Sequence, residues 1–217
     1  MCLRTTENMH SQKPAPTRLT WYPELIVFYA ASTVFWLLWR LNIPTDIQPH
    51  ASYVVGIAKG SVPLPANFLY YLLLYLASFG KVHSWRMLSL ASAVLLGSAV
   101  AAKFSITRRI LARDDAFTLS PPHQGKISPA SAALLLSCML LVAFSVPMRL
   151  FYPQGRFYLG QIPPNVWHNS TTIFLMPFAL ILFWLSYRQL EQPENTGRIR
   201  LILLFCALNI FVKPSFI

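Results

Sequence analysis

The 217-residue chain is 55% apolar and only 12% charged, with a mean hydropathy of +0.47. A soluble domain carries about 25% charged residues, so these values exclude an ordinary soluble fold and indicate an all-α, polytopic helical membrane protein. The net charge of +11 does not argue for nucleic acid, because the basic residues lie in short clusters between apolar runs, as in loops held on the cytoplasmic side of a bilayer.

Residues 1–20 form a polar tail with Arg4, Lys13 and Arg18 and without the apolar core of a signal peptide, so a cytoplasmic amino terminus is expected. Trp21 to Trp39 is the first apolar run, long enough for a hydrocarbon core of about 30 Å. Trp21, Tyr22, Trp36 and Trp39 sit near its ends, as interfacial aromatics do. The segment Leu41 to Arg86 follows, with Asp46 as the only acidic residue between Glu24 and Asp114. A carboxylate at the mouth of a span needs water or a partner, so Asp46 is either a solvated or capping loop residue or the centre of a site.

His50 to Gly60 is mildly amphipathic, and the Gly60–Pro65 stretch ends any helix there. Asn67 to Ser78 is strongly apolar but reaches only about 18 Å as a helix. Its three tyrosines suit the headgroup region, so an interfacial helix is expected. Met87 to Phe104 is the second span, Pro129 to Pro147 the third, Thr171 to Tyr187 the fourth and Ile199 to Val212 the fifth. Between the second and third lie Arg108, Arg109, Arg113 and Lys126, the densest basic cluster, of which Arg108, Arg109 and Arg113 are expected to set topology and touch anionic lipid. If Asn67–Ser78 does not span, the tail and the two most basic loops share one side, which the positive-inside rule places in the cytoplasm. The layout is then about five transmembrane helices plus two interfacial helices in the first outer loop.

Cys2, Cys138 and Cys206 have no metal-ligand spacing, and the last two lie inside apolar runs; they read as reduced packing residues. The chain has no phosphate-cradling glycine loop, no usefully paired carboxylates and no Ser/His/Asp set. The spans carry almost no central polar residues, which disfavours a transporter.

One span leads into an outer loop with an Asp and two helices along the membrane, the second entered through prolines and reading Leu-Pro-Ala-Asn-Phe-Leu-Tyr-Tyr (Leu64–Tyr71); Trp-Arg-Met-Leu-Ser (Trp85–Ser89) then enters the second span, and a terminal Val-Lys-Pro-Ser-Phe (Val212–Phe216) ends the last. This order resembles the amino-terminal module of GT-C membrane glycosyltransferases, in the protein-mannosyltransferase and aminoarabinose-transferase branch (glycosyltransferase family 39-like), over about residues 20 to 217. The resemblance implies inverting transfer of a sugar from a polyprenyl-phosphate carrier to an acceptor on the extracytoplasmic face of a bacterial-type plasma membrane. It makes Asp46 the catalytic base. It firmly implies no cofactor, although a divalent cation is compatible with it. Where the family's first loop often has two adjacent acidic residues, Asp46 stands alone. Family members usually carry further spans, so residues 21–217 are expected to be a module truncated at its carboxyl end, completed by a partner membrane protein or left as a non-catalytic relative. The partners implied are membrane lipid and the carrier-linked sugar, with no nucleic acid.

Two readings stay open for each remaining site residue. His50, one helical turn from Asp46, either orients it or binds phosphate, or merely sits at the interface near a helix start. Gln161, Asn165, His168 and Asn169 have the groups to hydrogen-bond a sugar and Trp167 to stack on one, while Asn169 equally suits the cap of the fourth span. Arg149 and Arg156 flank that loop and fit either a carrier phosphate or lipid headgroups.

Overall fold

The computed structural model describes residues 20–43, 45–112, 128–142 and 169–213. Among them are seven helices and no strand: α1 (Tyr22–Arg40), α2 (Ile47–Ala58), α3 (Leu69–Ala77), α4 (Trp85–Leu111), α5 (Pro129–Val142), α6 (Ser170–Glu191) and α7 (Thr196–Val212). Helices α1, α4 and α6 are long and apolar enough to cross a membrane. The expected third and fifth spans correspond to α5 and α7, which have 14 and 17 residues. Five spans were expected, and three helices among the described residues meet the length and composition required.

Local chemistry places the helix ends. Glu24 lies in the first turn of α1 beside Pro23, where a carboxylate meets unpaired N–H groups and a proline loses no helix bond. The Ser84 hydroxyl caps α4 by accepting from Met87 N, and the Asn195 side chain caps α7 by accepting from Arg198 N. Helix α2 starts at Ile47, earlier than its amphipathic pattern suggests, with Pro49 tolerated in the first turn. It ends at Ala58, and Gly60 just beyond the cap turns the chain with a left-handed φ of +71°.

Helix α4 is the centre of the bundle and packs against α1, α5 and α6, while α6 also packs against α7. Small residues bring α1 and α4 close. A Cβ added at Gly97 would lie 2.0 Å from Ser32 Oγ and 3.0 Å from Ser32 backbone N, a spacing that only glycine permits. The two helices are antiparallel and meet at both ends. Trp39 and Trp85 have ring centroids 5.8 Å apart at one end, and Glu24 contacts Arg108 at 2.6 Å at the other. The intervening residues therefore leave and return at the same end of the bundle. Helix α3, with 9 residues and about 14 Å of length, does not run from end to end, as expected of a run too short to span.

Helices α2 and α3 cover that end, burying Ile47, Ala51, Val54, Tyr70 and Leu74 against Phe35, Leu88 and Leu175. The start of α6 and the finish of α7 arrive at the same place, because Lys213 reaches Thr172 there.

Two expectations need correction. Arg108 does not face lipid: its guanidinium is buried, pairs with Glu24 and donates to Thr20 O at 2.6 Å. A cation one helical turn from the end of α4 finds the first-turn carboxylate of its antiparallel neighbour, which compensates its charge better than a headgroup at the surface. Cys138 is exposed rather than packed within the chain, while Cys206 is half-buried, and both are free thiols.

Candidate functional site

The polar cluster lies where α2, α3, α6 and α7 meet. Asp46 immediately precedes α2, yet its side chain does not cap that helix. Its Oδ1 instead accepts from Ser170 N at 2.8 Å and from Ser170 Oγ at 2.7 Å, across 124 positions of sequence. The carboxylate thus sits at the amino terminus of α6, where unpaired N–H groups and the helix dipole favour an anion.

Asp46 Oδ2 faces His50 Nε2 at 3.2 Å, one turn along α2. His50 Nδ1 lies 2.9 Å from the Tyr71 hydroxyl. An ionised carboxylate only accepts, so Nε2 carries the proton toward Asp46. In the neutral imidazole Nδ1 then accepts from Tyr71 O–H. The result is a directed chain from Tyr71 through His50 to Asp46, with Ser170 holding the other carboxylate oxygen. The His50 ring is also packed edge-on against Tyr70, with centroids 5.7 Å apart.

Burial shapes the phenols. Tyr70 is fully buried, and its hydroxyl has no hydrogen-bond partner among the described residues. Desolvation pushes it well above its ordinary value of 10.0; the charge of Asp46 and Tyr71 adds to that shift and nearby Ser170 opposes it. Tyr71 is raised for the same first reason, with Tyr53 and Asp46 adding to it. Lys213 ends α7 and donates from Nζ to Thr172 Oγ1 at 2.6 Å. Burial lowers its pKa while the charge of Asp46 acts in the opposite direction.

The cluster stays open to solvent: the side chains of Asp46 and His50 are 24% and 22% exposed. One carboxylate oxygen accepts from two donors and the other is shared with an imidazole, on a side chain that keeps part of its surface exposed. That arrangement can accept a proton from a bound hydroxyl. Asp46 is also the only carboxylate at this end among the described residues, beside Arg40, Lys59, Lys81, Arg86 and Lys213. The local field therefore favours anions. No three His, Cys, Asp or Glu side chains gather for a metal among the described residues.

Of the expected site residues, Asp46, His50 and Asn169 come together here. Asn169 serves as the expected cap of α6, its Oδ1 accepting from Thr172 N and Thr171 Oγ1, both at 3.0 Å. Arg149, Arg156, Gln161, Asn165, Trp167 and His168 lie outside the described residues. Sequence reasoning missed Ser170, Tyr70 and Tyr71 as members of the cluster. Tyrosine in an apolar run reads as interfacial, and a serine after Asn169 reads as part of a cap. The Lys213 signal was there, since a lone cation closing an apolar run needs a partner.

No protein-family model, no curated protein and no solved structure matches the chain.

Proposed function

We propose that this chain is the amino-terminal module of a multi-pass membrane glycosyltransferase of the GT-C type, with its amino terminus in the cytoplasm and the Asp46 end of the bundle outside. The observation that carries this reading is the partly exposed Asp46–His50 pair, backed by the buried Tyr71, on two short helices that cover one end of the bundle. In the proposed reaction an acceptor hydroxyl attacks the anomeric carbon of a polyprenyl-phosphate-linked sugar. Its proton passes to Asp46 Oδ2, the bond from the anomeric carbon to the phosphate oxygen breaks, and the carrier phosphate leaves with the electron pair. Attack opposite the leaving group inverts the anomeric centre. His50 positions Oδ2, and Lys213, which senses the charge of Asp46, offsets the leaving phosphate's charge.

A second reading has its own observation. Both donors on Asp46 Oδ1 come from the first residue of α6, which suits an anchor in a non-catalytic, partner-binding membrane subunit. Asp46→Asn separates the two, because the amide oxygen still accepts from Ser170 but cannot take a proton. Sugar transfer measured in membranes of cells making the complete protein should fall by about 10²- to 10⁴-fold at equal expression. Undiminished transfer would remove Asp46 as the base and leave the anchor reading.

A further inference from the structure

A groove of about 480 Å³ runs between the ends of α1 and α4, lined by Trp36, Trp39, Arg40, Trp85, Arg86 and Leu90. The ion pairs among the described residues are Asp46–His50, Glu24–Arg108 and Arg188–Glu191. Arg40 and Arg86 therefore face this groove with no carboxylate partner among those residues. Arg86 also lies in the first turn of α4, whose dipole favours an anion, while Arg40 lies in the last turn of α1, whose dipole does not, so the attraction comes from the two guanidinium charges. A guanidinium presents a planar fork that matches phosphate oxygens, and two of them converge here.

The surroundings select the kind of phosphate. Three indoles line the groove, and Leu90 and Val94 continue it as exposed apolar surface along α4. Water would leave that surface unfavourably hydrated, whereas an acyl chain covers it. Indoles hold the boundary between headgroups and hydrocarbon. We infer that the groove between Arg40 and Arg86 binds the phosphate of an anionic membrane phospholipid, with its acyl chains against α4. The lining of this groove includes none of Asp46, His50, Tyr71 and Ser170. The site rests on the reading of the chain as membrane-embedded and not on sugar transfer.

The test uses the full chain in phosphatidylcholine bilayers carrying trace phosphatidylglycerol or phosphatidylcholine with brominated acyl chains, read by quenching of tryptophan emission. Brominated phosphatidylglycerol should quench at a lower mole fraction than brominated phosphatidylcholine. Arg40→Gln and Arg86→Gln should each reduce that selectivity on the order of fivefold, and the double variant should abolish it. Arg40→Lys with Arg86→Lys should keep a part of it, which controls for damage to folding. Arg200→Gln, at the opposite end of the bundle and exposed, should change nothing. Equal quenching by both lipids overturns the site and leaves the membrane reading intact. Loss of selectivity on adding inorganic phosphate shows a free-anion site and overturns the lipid assignment. No quenching by either lipid overturns membrane embedding itself, and the proposed function with it.

Discussion

The two ends of the bundle each hold one carboxylate in contact with a distant helix, and they hold it differently. At one end Glu24 meets Arg108 at 2.6 Å, with side chains 18% and 5% exposed, so charge is cancelled by charge in a nearly closed setting. At the other end Asp46 is held by neutral donors, Ser170 N and Oγ and His50 Nε2, while the nearby cations lack carboxylate partners among the described residues. The first arrangement clamps α1 to α4 through a compensated ion pair, although Glu24 Oε2 and Arg108 Nε are buried there without a hydrogen-bond partner among the described residues. The second keeps an anion accessible beside unpaired positive charge, the combination that a site for proton transfer and anion binding requires.

That contrast can be broken most strongly at the clamp. Arg108→Met leaves Glu24 uncompensated and should destabilise the purified protein by about 3 kcal/mol, measured by denaturant unfolding in detergent. Adding Glu24→Leu should recover most of the loss, since two apolar side chains then replace the pair. If the single variant is as stable as the parent, the clamp is not one.

At the open end the effect should be smaller. Asp46→Ala removes the acceptor for two Ser170 donors and frees His50, which should cost about 1 to 2 kcal/mol. Asp46→Asn should stay within about 0.5 kcal/mol of the parent in stability. Equal losses for the two variants would mean that the charge, not the hydrogen bonds, holds α6 in place.

The smallest effect at neutral pH, and the sharpest in pH, concerns Tyr70. Its folded pKa lies above the ordinary value of 10.0, so its contribution is constant below that value. As pH rises past 10.0 the unfolded phenol ionises while the folded one stays neutral, and stability falls. Tyr70→Phe should be close to neutral at pH 7, because the Ser170 hydroxyl beside it is already committed to Asp46 Oδ1 and the Tyr70 hydroxyl makes no hydrogen bond of good geometry among the described residues. It should also flatten the alkaline decline; an unchanged alkaline slope would mean that Tyr70 is not the group responsible.

Much of this was legible in the chain because it is decided within a few residues. Runs of apolar side chains mark the helices, Asn169 sits in position to cap α6, and the four-residue spacing of Asp46 and His50 puts them on one helical face. The brevity of the Asn67–Ser78 run foretold that it would not cross the bundle. What the chain did not disclose were contacts between helix ends: Asp46 with Ser170, Lys213 with Thr172 and Glu24 with Arg108, separated by 124, 41 and 84 positions. Arg108 looked like any lipid-facing cation, since nothing near it in sequence identifies its partner.

The sequence by itself determined where helices form and which carboxylate stands alone between two apolar runs. Periodicity, caps and proline act locally, so they can be read locally. Only the tertiary structure decided which helix ends meet. The close approach at Gly97 and Ser32 sets α1 against α4, and that register brings Trp39 beside Trp85 and Glu24 beside Arg108. The ends of α6 and α7 then fall against α2 and α3, which turns a single loop aspartate into the centre of a hydrogen-bonded cluster.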